Sequence, residues 1–267
     1  MMRKAYKIFA VTLILLVIAT PVFAITNGIP DDGEHPYVGL MLYPVEETPE
    51  GTLYAICSGT LISPTLFLTA AHCVYDAEVG NIPIFVSFAE QGISIDSIGF
   101  GHAHPSYPGI LVLPATYDVG VVELIIPVTD LGFGEVAEVG YLEQFKKKVG
   151  LSDPYFEPVG YGLQSALPGL GNYQEWDIAR YKGEQRLINL QNALVGDYNV
   201  QLTNNPGKGN GSGGTCSGDS GGPILYNDTN IITAVNSFGI APYCVGTDYA
   251  YRVDTQLVHD FLATFGY

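Results

Sequence analysis

The sequence predicts an all-β protein, either one large β-rich unit or two small barrels, and three observations carry that reading. Its 267 residues, 47% hydrophobic and 14% charged, can build an ample core. Gly 32, Pro 17 and Tyr 18 make the chain turn-rich and aromatic-rich, the composition of short strands separated by turns. Lys- and Glu-rich stretches and Leu heptads are scarce, so the helix content is expected to be small.

The first stretch reads as a leader. Met1 to Lys7 is basic, Ile8 to Ala19 is mostly apolar, and Thr20-Pro21-Val22-Phe23-Ala24 carries Val22 and Ala24 at the positions a signal peptidase reads. Cleavage after Ala24 is expected, an uncleaved membrane anchor being the alternative. Ile25-Thr26-Asn27-Gly28 then becomes the mature start, and Gly33 to Leu40 is a turn feeding a strand. Leu53 to Leu68 forms two apolar strands around a Ser63-Pro64 turn, the second delivering His72. Ile82 to Phe88, Ile93 to Phe100 and Val119 to Ile126 are further strands, the last opened by Asp118.

Between Pro127 and Gly150 the pattern changes. The spacing over Tyr141 to Val149 suits a short surface helix at the crossover, with Lys146 to Lys148 as its solvated face. Strands resume at Tyr155 to Tyr161, Arg186 to Leu194 and Val200 to Thr203. Asn204 to Gly214 is rich in Gly, Asn and Ser and reads as a loop, and Cys244 to Tyr251 is read as a loop as well. Ile224 to Tyr226 and Ile231 to Ser237 are strands, and Val253 to Phe265 has the spacing of a terminal amphipathic helix.

The net charge is −16; discounting Arg3, Lys4 and Lys7 of the leader leaves 8 basic residues against 27 acidic ones, or −19. That balance argues against nucleic acid or an anionic membrane as a partner and favours solubility. Cys57, Cys73, Cys216 and Cys244 allow three pairings. With no Cys-x-x-Cys and no His-x-x-x-His pattern, disulfides are favoured over a metal site, and they imply an oxidising compartment.

The stretch that carries chemistry is Gly214-Thr215-Cys216-Ser217-Gly218-Asp219-Ser220-Gly221-Gly222-Pro223. It sets a hydroxyl among glycines, as acyl transfer demands, because backbone N–H groups must approach a developing oxyanion closely. Ser220 is the candidate nucleophile and needs a base with an orienting carboxylate. Leu68-Thr69-Ala70-Ala71-His72-Cys73 offers the base, and Thr116-Tyr117-Asp118 followed by an apolar run offers the carboxylate, Asp96 being a weaker rival. His35, His102, His104 and His259 read as structural or exposed.

These blocks, with Ser58-Gly59-Thr60-Leu61-Ile62-Ser63, His104-Pro105-Ser106-Tyr107, Gly160-Tyr161-Gly162 and Ser237-Phe238-Gly239, run in an order that resembles the chymotrypsin/trypsin family of secreted serine endopeptidases. The resemblance extends from Ile25 to the C-terminus. It implies two packed six-stranded antiparallel barrels with a short C-terminal helix: residues 25–135 with His72 and Asp118, and residues 136–267 with Ser220 and the specificity pocket. It implies a His72-Asp118-Ser220 triad, an oxyanion hole from the N–H groups of Gly218 and Ser220, and support of Asp118 by the Ser237 hydroxyl. It further implies the pairs Cys57–Cys73 and Cys216–Cys244, and an ion pair between the Ile25 amine and Asp219, formed once signal removal exposes that amine.

The pocket departs from the family's trypsins. Gly214 stands six residues before the nucleophile, where those enzymes carry an aspartate, so an ordinary trypsin pocket is excluded. Ser237, Phe238 and Gly239 are expected at its wall, and Asp248 falls either on the opposite wall or on the surface. A secreted, monomeric endopeptidase acting on proteins or peptides without a cofactor or metal is expected. A secreted esterase, a self-limited protease and a non-catalytic binding homologue are the alternatives.

Overall fold

The computed structural model describes residues 25–147, 154–167, 173–175, 177–192, 194–205, 211–241 and 243–267. The expected leader (1–24) and the end of the expected 141–149 helix, including Lys148, lie outside these residues. The first barrel comprises β1 (Val38–Thr48), β2 (Gly51–Ser63), β3 (Leu66–Thr69), β4 (Ile84–Ser87), β5 (Ile95–Ala103) and β6 (Gly120–Leu124). They close in the order β1-β2-β3-β6-β5-β4. The second comprises β7 (Tyr155–Gly160), β8 (Gln185–Asn189), β9 (Asn199–Asn204), β10 (Pro223–Tyr226), β11 (Ile231–Gly239) and β12 (Gly246–Arg252). It runs β7-β8-β9-β12-β11-β10 and closes through β7 and β10, repeating the strand order of the first. All of these barrel pairings are antiparallel.

Packing explains why these segments are strands. Leu61, Phe67, Val86 and Val122 fill the first barrel, and Phe156, Leu187, Leu202, Ile224, Ala234 and Ala250 fill the second. In β1 the outward side chains Leu40 and Leu42 are buried too, because they pack on Tyr161 at the junction of the barrels. That is why β1 begins as an unbroken apolar run rather than an alternating one.

Two elements depart from the sequence expectation. Helix α1 (Ala71–Gly80) follows β3, so His72 lies in its first turn rather than at a strand end. Its buried side chains, Ala71, Cys73, Val74 and Ala77, are few and small, which leaves a weak helical stripe in the sequence. Asn81 (φ 49) ends the helix in the left-handed conformation common at helix C-termini. Strand β12 occupies most of the segment read as a loop from Cys244 to Tyr251. A buried Asp248 and Arg252 interrupt its apolar pattern, so the sequence hides a strand that lies between β9 and β11.

The expected crossover helix is a single 3-10 turn, Tyr141–Phe145. The terminal helix α2 (Gln256–Ala263) starts where the Thr255 side chain accepts from Val258 N–H, and it buries Val258, Phe261 and Leu262. Disulfides join Cys57 to Cys73 and Cys216 to Cys244. No helix among the described residues is long and apolar enough to cross a membrane.

Candidate active site

The first barrel contributes a histidine and an aspartate. The N-cap of α1 is Ala70, which has no side-chain acceptor for the orphan N–H groups of the first turn. Asp118, fully buried ahead of β6, fills that role: its Oδ1 accepts from the His72 N–H at 2.9 Å. The same carboxylate meets the ring, Oδ2 lying 2.9 Å from His72 Nδ1. The Ser237 hydroxyl of β11 donates to Oδ2 from the second barrel. Burial disfavours a charged His72, but the charge and hydrogen bonds of Asp118 outweigh it, so the imidazole pKa lies above its ordinary value. With Nδ1 engaged, Nε2, which lies 3.6 Å from the Cys73 sulfur, is the nitrogen left to exchange a proton.

The loop that carries Ser220 is held from both sides. Within it the Asp219 N–H bonds Cys216 O at 3.0 Å and the Gly222 N–H bonds Asp219 O at 2.9 Å, while Gly221 N–H reaches Asn236 O of β11 at 2.8 Å. Ser58 of β2 clamps the other side: its N–H donates to Ser220 O at 2.8 Å and its hydroxyl to Gly218 O at 2.9 Å. The Ser58 oxygen also accepts from Tyr161 N–H at 3.0 Å. Glycine is required at Gly221, whose φ is +78° and where a Cβ would stand 2.0 Å from Thr69 Oγ1. The N–H groups of Gly218 and Ser220 have no hydrogen-bond acceptor among the described residues. No hydrogen bond joins Ser220 Oγ to His72 among those residues; such contacts are commonly long in resting enzymes and tighten with substrate.

Beside Ser220 lies a cavity of about 210 Å³, lined among others by Ser217, Ser237, Phe238, Gly239, Val245 and Asp248. Phe238 stacks on Tyr249, centroids 4.7 Å apart and planes within 1°. Asp248 is buried on β12 and faces this cavity, so its surface alternative is set aside. Burial raises its pKa to about 6 despite hydrogen bonds from Thr215, Asn204 and Gln185. Gly214 does not line the cavity; Asn204 fills the space beside it, ending β9 instead of opening the loop read from the sequence.

Asp219 is buried behind the loop, where its carboxylate accepts from the N–H groups of Gly162 at 2.7 Å and Cys216 at 2.9 Å. Burial raises its pKa to about 7. Ile25 is buried with Ala179 and Tyr181. Cys57, His72 and Cys73 place one ligand atom each within 4.8 Å of one another, but both sulfurs are spent in the disulfide, which leaves one imidazole.

The rival residues have other work. Asp96 accepts from Phe88 N–H at 2.7 Å, His35 bridges Asp31 and Glu157, and His259 Nε2 meets Ala137 O at 2.9 Å. His104 stacks on Tyr117, and burial lowers its pKa. Sequence reasoning missed Ser58 as a clamp, although it opens one of the blocks singled out. It also missed Gln185 and Asn204, whose polar side chains carry no signal without their partner Asp248.

The sequence model of the trypsin family, described as "Trypsin", matches residues 30–260. The chain is 32% identical over 198 residues to brachyurin of Leptuca pugilator, covering 70% of this chain and 77% of that protein. It is 26% identical over 223 residues to trypsin of Saccharopolyspora erythraea, covering 77% and 82%. The solved structure titled HL collagenase superposes with a TM-score of 0.69 at 18% identity, covering 91% of this chain and 99% of that one.

Proposed function

The chain belongs to the trypsin family of serine endopeptidases, and from that premise we propose that it cleaves peptide bonds through an acyl-enzyme on Ser220, with His72 as base and Asp118 as its orienting carboxylate. The hydrogen-bonded series Ser237–Asp118–His72 is the observation that carries the reading. It fixes one tautomer, with the proton on Nδ1 and the lone pair on Nε2.

Ser220 Oγ attacks the peptide carbonyl carbon as His72 Nε2 takes its proton. The carbonyl oxygen becomes an oxyanion, received by the N–H groups of Gly218 and Ser220. His72 then returns the proton to the leaving nitrogen, the C–N bond breaks, and the acyl group stays on Ser220 until water repeats the sequence. The raised His72 pKa favours the imidazolium that both halves of the reaction pass through.

The Ile25 amine, freed by cleavage after Ala24, pairs with Asp219 and fixes the loop that presents Gly218. In the pocket, Gly214 leaves no floor carboxylate, and Asp248 supplies one from the wall, so basic side chains are accepted alongside bulky apolar ones. Secretion and a monomeric state complete the proposal; the two disulfides and the acidic surface agree with an extracellular life among protein substrates. Turnover of casein against short acyl esters by the protein beginning at Ile25 tests it. Casein cleavage abolished in Ser220→Ala is the expected result, and ester turnover with casein untouched refutes it.

A further inference from the structure

The carboxylate of Asp248 meets three donors before any substrate arrives. Oδ1 accepts from Asn204 Nδ2 at 2.6 Å; Oδ2 accepts from Gln185 Nε2 at 2.6 Å and from the Thr215 N–H at 2.7 Å. An ionised carboxylate offers about four lone-pair positions. Both positions on Oδ2 and one on Oδ1 are therefore occupied.

The donors are themselves fixed. Gln185 Nε2 also donates to Thr203 O at 2.9 Å, so turning the amide over would set its oxygen against two acceptors. Its own Oε1, in a fully buried side chain, has no partner among the described residues. The amide thus holds its two donated bonds at the expense of a buried, unpaired acceptor. Asn204 donates in addition to Thr215 O at 2.9 Å and accepts from Thr26 Oγ1 at 3.2 Å. It also fills the pocket floor: a Cβ at Gly214 would lie 2.1 Å from its Cγ and Oδ1. A carboxylate on the wall and a bare glycine at 214 are two consequences of the same asparagine.

Resting on the pocket reading above, we propose that Asn204, Gln185 and the Thr215 N–H hold Asp248 with one acceptor position open, so that the enzyme prefers lysine to arginine before the scissile bond. A guanidinium in its strong two-point mode needs an open position on each oxygen, and here Oδ2 has none. An ammonium is a point charge that needs one acceptor, and Oδ1 provides it. Gln185 acts as a positioning residue for specificity, through Oδ2 of Asp248.

The test uses the protein beginning at Ile25 and three peptide amides identical except for Lys, Arg or Phe before the cleaved bond. For the unaltered enzyme kcat/KM for Lys exceeds that for Arg by about tenfold, the scale of one charge-assisted bond. In Gln185→Leu, which opens a position on Oδ2, the Lys-to-Arg ratio falls toward one, whereas Asn204→Ala frees only Oδ1 and leaves Oδ2 filled, so the ratio stays in place. A merely structural role lowers all three substrates together and leaves the ratio in place. Arg turned over as fast as Lys by the unaltered enzyme, or a ratio within about twofold of the original in folded Gln185→Leu, overturns the proposal. Asp248→Gly separates the two levels: loss of Lys and Arg cleavage relative to Phe upholds the pocket reading whatever the ratio does. Unchanged Lys and Arg cleavage in that variant overturns the pocket reading itself, and this proposal with it.

Discussion

One residue placed ahead of Ile25 is predicted to lower both stability and turnover, and by an amount that depends on pH. Burial, only partly offset by the N–H groups of Cys216 and Gly162, raises the Asp219 pKa from 3.8 to about 7 while the Ile25 nitrogen is a peptide nitrogen. The unfolded chain gives up this proton near its ordinary pKa, whereas the folded chain keeps it to about 7. Between those values the unfolded state binds fewer protons, so stability falls as pH rises. About three units at ~1.36 kcal/mol each amount to about 4 kcal/mol by pH 8. A free Ile25 ammonium favours the charged carboxylate and removes most of that loss. The form starting at Ile25 is therefore expected to melt higher at pH 8 by on the order of 10 °C, with the gap narrowing toward pH 4. Its kcat/KM should also be far higher, because the Gly218 N–H depends on the loop Asp219 anchors. Thermal unfolding of both forms at the two pH values, with turnover at pH 8, is the assay. A gap that does not narrow in acid, or equal turnover, refutes the reasoning.

Three further predictions follow from the site. His72→Ala should lower kcat by about three to six powers of ten and Asp118→Asn by about four, read as steady-state turnover of a peptide amide. Ser58→Ala removes the bond to Gly218 O and the one accepted from the Tyr161 N–H. It should destabilise by about 1–3 kcal/mol, and lower kcat by less than the 10²–10³ that loss of an oxyanion donor costs; a Tm and kcat equal to those of the unaltered enzyme would contradict the clamp. Because Asp118 raises the His72 pKa and only the neutral imidazole is a base, kcat/KM should fall on acidification through a pH above the ordinary histidine value. Asp118→Asn should move that limb to lower pH.

Most of the strands were legible because they are apolar runs closed by Gly, Pro and Asn, their division into two barrels came from the family resemblance, and the acyl-transfer reading was legible because each of its residues sits in a local motif. What escaped the sequence was held by long-range polar partners. Strand β12 carries Asp248 and Arg252 inside, Asp248 satisfied by the distant Gln185 and Asn204, and Arg252 by the neighbouring Asp254 together with the distant Glu143. A pattern of hydrophobicity has no way to mark such positions as buried. Helix α1 was missed because its four buried side chains, two of them alanines, are small and its first turn is capped by Asp118, 46 residues on. Ser58 lay in view inside a recognised block, but its role exists only when the two barrels meet.

Covalent labelling asks whether Ser220 is the nucleophile. The protein beginning at Ile25 is treated with a sulfonyl fluoride and followed by intact mass and peptide mapping. One adduct on the peptide holding Ser220 is predicted, formed in step with loss of activity, absent in Ser220→Ala and strongly slowed in His72→Ala. An adduct on another residue accompanying inactivation, or full peptidase turnover in Ser220→Ala, would contradict the account.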